Sequence, residues 1–111
     1  MSFTEDAITK EAVTYPFTTA AAETVIVRAI GAGRRFHVMG GFLRAAGAQD
    51  VTFQSEANLI SGAIPLSTTL ELNLPVSKVP HFSGLATGED FKITTSQAVQ
   101  TSGWFTIAEE K

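Results

Sequence analysis

Two histidines are the side chains of this chain best suited to acid–base or metal chemistry, because a neutral imidazole binds metals and titrates near neutral pH. His37 stands beside Arg35 in an apolar run, and His81 follows Pro80. Neither has a second histidine two or four residues away. A metal or catalytic site needs several such groups in a defined geometry. The spacing therefore predicts structural or surface roles for both histidines and no metal site.

The serines, glycines and carboxylates also lack the local patterns of a catalytic site. No serine lies in a Gly-x-Ser-x-Gly turn. The glycines of 31–33 are not followed by the Lys-Ser/Thr of a phosphate loop and fit a hairpin turn. Glu89–Asp90 and Glu109–Glu110 are adjacent pairs that point apart, whereas a glycosidase needs carboxylates facing across a cleft. The chain is therefore predicted not to be an enzyme, with no cofactor and no small-molecule substrate.

Trp104 is the single tryptophan and lies in an apolar run at 99–107. A tryptophan on a surface can bind a sugar ring, but burial in a core or subunit interface is favoured because the side chain is so large. The run is apolar on both faces, so one face is expected to join the core and the other to meet a second subunit. The candidate interface residues are Trp104, Phe105 and Ile107.

The positive charge is concentrated at Arg28, Arg34, Arg35 and Arg44. Arginines on strands commonly keep sheet edges from aggregating, and this interpretation is favoured. The alternative is an electropositive patch that meets an acidic protein surface. Because the net charge is −3, nucleic acid is not expected as a partner.

The 111 residues include no cysteine, which excludes disulfides and thiolate metal sites. The first residues are acidic, without the apolar region of a signal peptide, and no segment is long and apolar enough to cross a bilayer. We therefore expect a soluble protein that is made in a cytoplasm and has no membrane partner.

The elements that must position these residues are short strands separated by turns. The alternation of Phe91 and Ile93 with polar residues is typical of a half-buried strand. Pro16 limits the first strand to an edge, and bulges are expected at the pair Gly40–Gly41 and at Gly103. The predicted strands are 12–17, 24–30, 35–46, 51–55, 59–64, 69–74, 90–95 and 99–107. About eight strands at this spacing predict a single antiparallel β-sandwich of jelly-roll type, at 12–111, after an N-terminal arm at 1–11.

The pattern as a whole resembles a family of small virion proteins of tailed bacteriophages. The residues that carry the resemblance are 35–42 (RFHVMGGF), 51–55 (VTFQS), 64–66 (IPL), 74–75 (LP), 82, 87–95 (TGEDFKITT), 99 and 103–107 (GWFTI). Several such proteins are head decoration, or cement, proteins. The resemblance implies a homotrimer on the outer capsid surface of the virion, assembled in the host cytoplasm, that binds the major capsid protein and stabilises the head.

The candidate capsid-contact residues are Phe3 and Ile8 in the arm, together with Arg34 and Arg35. Two alternatives remain open. The same fold can serve as a head-fibre, tail or carbohydrate-binding module, with Trp104, Phe82 and His81 on a ligand face. A small β-fold enzyme would require a polar cleft in which a histidine lies beside a carboxylate.

Overall fold

The regular structure of the protein consists of strands. The computed structural model describes residues 12–110, without the side chain of Glu110, and none of these residues forms a helix that could span a membrane. The all-β prediction is confirmed, whereas the predicted arm at 1–11 lies outside the described residues. The strands in chain order are β1 Val13–Thr19, β2 Thr24–Arg28, β3 Arg35–Ala45, β4 Gln49–Ser55, β5 Asn58–Leu59, β6 Ile64–Leu66, β7 Leu72–Leu74, β8 Phe82–Ser83, β9 Phe91–Thr95 and β10 Thr101–Glu110.

The strands pair into two antiparallel sheets. The first sheet has the order β1-β10-β3-β7, and β8 also pairs with β3. The second sheet has the order β2-β9-β4-β5, and β6 also pairs with β4. Strand β1 is at the edge of the first sheet, as Pro16 predicts. Consecutive strands such as β1 and β2, β3 and β4, and β9 and β10 lie in different sheets, so the chain repeatedly crosses the core.

The core between the sheets is built around phenylalanine rings from both sides. Phe91 of β9 and Phe105 of β10 meet edge to face with centroids 5.0 Å apart, and Phe53 of β4 lies 5.7 Å from Phe105. Phe36 and Phe82 extend the cluster at 5.2 and 5.7 Å from Phe91. Edge-to-face rings at these separations add to the hydrophobic stabilisation. The two sheets therefore share one core, in the arrangement of a β-sandwich.

The predicted alternation of β9 is confirmed, because Phe91 and Ile93 are fully buried and Lys92 is half-buried. In β10, the residues on one face are covered by the chain itself, whereas a second subunit was expected to cover one of the two faces. Phe105 and Ile107 are 0% and 1% exposed within the single chain. Their face is covered by the second sheet, so the expectation that they form a subunit interface is wrong for these two residues. Trp104 alone retains an accessible surface.

Two bulges were predicted in the first sheet, at the pair Gly40–Gly41 and at Gly103, and the pairing of β10 with β3 contains one. The pairing of β10 with β3 shifts between Thr106 and Ile107, which leaves Met39 as the extra residue beside Gly40. The bulge predicted for the glycine pair therefore occurs one residue earlier. The bulge predicted at Gly103 is wrong, because Gly103 pairs in register with Leu43.

Two predicted strands in the middle of the chain are shorter than expected. The segment predicted as one strand at 59–64 divides between β5 and β6. In the segment at 69–74, only Leu72–Leu74 is a strand, and Leu70 lies outside it and is 51% exposed. The reason is a tight turn in which Ser67 and Leu70 exchange backbone hydrogen bonds at 3.0 and 3.3 Å. The hydroxyl of Ser67 also accepts from the Leu70 amide at 3.1 Å.

Candidate functional site

The outer faces of the two sheets differ in character. On the second sheet, Thr24 and Thr94 share a hydrogen bond of 3.1 Å, and the Thr94 hydroxyl donates to Gln54 at 2.5 Å. Among the described residues, two large apolar side chains on this face are strongly exposed: Ile26 at 56% and Leu59, which pairs with Gln54, at 64%. Both belong to the outermost strands β2 and β5, and the centre of this outer face is polar, with hydrogen bonds among its own side chains.

The first sheet carries an apolar row across its outer face. The pairing register places Pro16 of β1 opposite Trp104 of β10, Trp104 opposite Phe42 of β3, and Phe42 opposite Asn73 of β7. Trp104 and Phe42 are half-buried, and Pro16 is exposed. Cross-strand neighbours on one face lie about 5 Å apart, so these side chains form a continuous surface. We call the surface of Pro16, Phe42 and Trp104 the Trp104 face.

A small cavity lies at one end of the Trp104 face, where β3 ends and β10 begins. Its volume is about 170 Å³, and its lining residues are Arg44, Ala45, Ala46, Gln100 and Ser102. Ser102 pairs directly with Arg44 and is two residues from Trp104, so these polar groups adjoin the apolar row. Within residues 12–110, the side chains of Arg44, Gln100 and Ser102 form no hydrogen bond or ion pair. The cavity thus presents three donor groups to which no other side chain of the described residues is bound, including one full positive charge.

The structure does not bring the four arginines together. At the other end of the first sheet, Arg28 donates from Nη2 to Glu109 Oε2 at 2.5 Å and lies over the Tyr15 ring at 5.1 Å. Arg34 Nη1 is 3.7 Å from the second oxygen of Glu109. Partial burial acts to lower the pKa of Arg28, but the hydrogen bond and negative charge of Glu109 outweigh it, so the pKa is raised. Arg44 lies at the opposite end of the eleven-residue strand β3.

The two histidines connect β3 to the β7–β8 side of the first sheet. His37 is fully buried, and its Nδ1 lies 2.7 Å from the Ser83 hydroxyl, which joins β3 to β8. His81 donates from its backbone amide to the Val38 carbonyl at 2.8 Å and from Nε2 to the Pro75 carbonyl at 2.7 Å. These contacts hold the loop between β7 and β8 against β3. Among the residues that the structure describes, no group of three potential ligands could hold a metal ion.

The carboxylates near residue 90 serve the turns around them. Asp90 accepts from the Ile30 amide at 2.7 Å, and Glu89 accepts from the Ser55 hydroxyl at 2.6 Å. Glu56 accepts from the Asp90 amide at 2.8 Å and pairs with Lys92 at 3.3 Å. The backbone hydrogen bond from Asp90 is the main cause that lowers the pKa of Glu56, and Lys92 adds to it. These groups bind one another and face no common cleft.

The remaining candidate contact residues divide between described and undescribed parts of the chain. Arg34 and Arg35 lie at the start of β3, and the Arg34 side chain is 43% exposed. Phe3 and Ile8 lie outside the described residues. Nothing in the sequence pattern indicated that Pro16, Phe42 and the cavity at Arg44 belong to one surface. The signal existed only in the register of β1, β10 and β3, which a single sequence does not display.

The comparisons with known proteins give no family. No protein-family model matches the chain, and no curated protein matches it. A solved structure to which it is similar is described as "Bacillus endospore appendages form a novel family of disulfide-linked pili". The sequence identity is 16%, the TM-score is 0.47, and the match covers 100% of this chain and 96% of that chain. A similarity at this level does not bear on function.

Proposed function

We propose that this protein is a non-catalytic structural component of a bacteriophage virion, a decoration protein that binds the major capsid protein on the outside of the head and stabilises the shell. We further propose that it acts as a homotrimer. The observation that carries the proposal is the Trp104 face, where Trp104, Phe42 and Pro16 form an accessible apolar row across three paired strands. Such a surface is typical of a protein contact.

The proposal includes a jelly-roll topology, which is common in capsid proteins. Its support is the strand order of the two sheets. If β5 and β6 count as one interrupted strand, and β7 and β8 as another, each sheet has four strands. The orders are then first-eighth-third-sixth and second-seventh-fourth-fifth along the chain, as in a jelly roll.

The proposed contacts with the shell and between subunits use different parts of the molecule. Arg34 and Arg35 lie at the start of β3, away from the Arg44 cavity at its end, and are proposed to contact the capsid together with Phe3 and Ile8. A trimer would present three such contacts at once, so that each can be weak while the whole remains bound.

The test is co-sedimentation of the full chain with emptied shells of the major capsid protein encoded in the same genome. We expect saturable binding and shells that resist heating better than undecorated shells. Replacing Arg35 by Glu should weaken the binding, whereas Thr52→Glu on the outer face of the second sheet should not. A chain that leaves the shells in the supernatant at every concentration would contradict the proposal.

A carbohydrate-binding module is the second candidate, because Trp104 is half-buried on an open sheet face where a sugar ring could stack. A glycan array with the wild type and Trp104→Ala tests it. Binding that the substitution abolishes, with the fold unchanged by circular dichroism, would favour this candidate over the decoration protein.

A further inference from the structure

We infer that the cavity at Arg44 binds the Glu71 carboxylate of a second copy of this chain, while Leu70 of that copy packs on Trp104 and Phe42. The inference rests on the homotrimer of the proposed function and names the contact that would build it. It starts from the three donor groups of the cavity, because a guanidinium, a hydroxyl and an amide together match the oxygens of one carboxylate, and no carboxylate of the same chain is bound there.

The chain itself offers one segment with the complementary character. Leu70 is 51% exposed and Glu71 is exposed, so an apolar group and a carboxylate stand side by side at the surface. Asp50 is also exposed and without a side-chain partner in the described residues, but its cross-strand neighbour Pro65 and the adjacent Ser96 offer no large apolar group. The turn at Ser67 fixes Leu70 by backbone hydrogen bonds, so little conformational entropy is lost on binding.

Arg44 and Glu71 lie close together on one molecule but form no ion pair with each other. β7 pairs with β3 as far as Leu72 and Leu43, which puts Glu71 beside the position of Arg44. Arg44 nevertheless lines the cavity on the β10 side with Ser102 and Gln100, and no ion pair joins it to Glu71. In a closed ring, each copy must offer one patch to the next copy and a different patch to the previous one. Adjacent patches at one end of the molecule meet this requirement around a symmetry axis, where arginines and glutamates would alternate.

The test is a charge exchange between copies, measured as self-association of the full chain by sedimentation velocity. Arg44→Glu and Glu71→Arg should each weaken association about tenfold or more, because like charges then meet in every contact. Mixing these two variants should restore part of the association, because two of the three contacts in a mixed trimer then join opposite charges. The double variant Arg44→Glu/Glu71→Arg should associate as the wild type does, and it confirms that the changed residues are compatible with folding.

The mixture distinguishes a contact between copies from a pair within one chain. If Arg44 and Glu71 act only within a chain, mixing the single variants restores nothing, and the inference is overturned. Asp50→Arg is the matched control for Glu71→Arg: it makes the same change in charge on the other sheet, and it should associate as the wild type does.

The proposed function can fail separately. Shell binding without self-association of the wild type at millimolar concentration overturns this inference and leaves the decoration role standing. Charge-dependent self-association of a chain that does not bind shells would support this inference and contradict the decoration role.

Discussion

At the scale of single residues, Gly103 shows how closely the two central strands of the first sheet approach each other. A Cβ placed on Gly103 would meet the carbonyl oxygen of Phe42 and would lie 2.7 Å from its carbonyl carbon and 3.0 Å from the Leu43 Cα. These are backbone atoms of a paired strand, which a rotamer change cannot move away. Glycine at this position therefore permits the pairing that places Trp104 opposite Phe42.

We predict that Gly103→Ala lowers the free energy of unfolding by about 3 kcal/mol, in the range of severe overpacking. Gly62→Ala is the control, because no heavy atom lies within 4 Å of its added Cβ. Its effect should be within about 0.5 kcal/mol. Urea unfolding of the two variants measures both values, and equal stabilities would show that the strands can separate at little cost.

The lowered pKa of Glu56 predicts that the stability of the fold depends on pH in the acidic range. Its folded-state pKa lies below the ordinary value of 4.5, so the ionised carboxylate stabilises the fold above that pH. This contribution is lost as the pH falls through the folded-state pKa. Glu56→Gln keeps an acceptor for the Asp90 amide but cannot titrate.

We therefore expect the variant Glu56→Gln to be less stable than the wild type at neutral pH and equally stable well below pH 4.5. Thermal unfolding across a pH series measures the difference. Asp50→Asn, on an exposed side chain without a described hydrogen bond, should be as stable as the wild type at neutral pH. A difference between Glu56→Gln and the wild type that stays constant with pH would contradict this account.

At the scale of elements, Arg28 and Glu109 connect the two sheets. Arg28 ends β2 of the second sheet, and Glu109 belongs to β10 of the first. The side chains are 32% and 11% exposed, so the ion pair is only partly screened by solvent. Because it also has a short hydrogen bond, it should contribute more than a surface pair.

A double-mutant cycle with Arg28→Gln and Glu109→Gln should give a coupling energy of about 1 kcal/mol. The same cycle with Arg34→Gln should give about 0.3 kcal/mol, because that pair is 3.7 Å apart and Arg34 is 43% exposed. Equal couplings from chemical denaturation would mean that the hydrogen bond of Arg28 adds nothing.

Much of this fold can be predicted from local patterns, and its limits have physical causes. The alternation of β9 and β4 identifies their inner faces because each side chain there depends only on strand geometry. An alternation of the same kind predicted a strand at 69–74, but Leu70 lies in a turn instead, because the side chain of Ser67 accepts a hydrogen bond from its amide. Pattern alone also could not say which face of β10 the second sheet covers, so Phe105 and Ile107 were assigned to an interface.

The candidate surface was less predictable than the fold. Trp104 stood out by its type, but its neighbours Phe42 and Pro16 come from strands far away in the sequence. The cavity at Arg44 depends on the register between β3 and β10, in which Ser102 pairs with Arg44. Such long-range pairing is decided by the packing of the whole sandwich and leaves no local signal.

At the scale of the whole molecule, the difference between the two outer faces predicts which one associates. Trp104→Thr should weaken self-association about tenfold or more, because a half-buried tryptophan at the centre of an apolar face is typical of an interface hot spot. Ile26→Thr removes an apolar side chain that is 56% exposed on the other sheet and should leave association unchanged. Light scattering across a dilution series measures both, and equal effects would show that association is unspecific.

The position of Pro16 has a further consequence for a protein that would be packed at high density on a particle. Strand β1 pairs only with β10 among the described strands, so its other side is open to a strand from a neighbouring molecule. Proline has no amide hydrogen to donate and interrupts that side midway along the strand. If the proposed function holds, copies crowded on one shell would thereby be protected from joining edge to edge into fibres, and association would be limited to the broad face of the sheet.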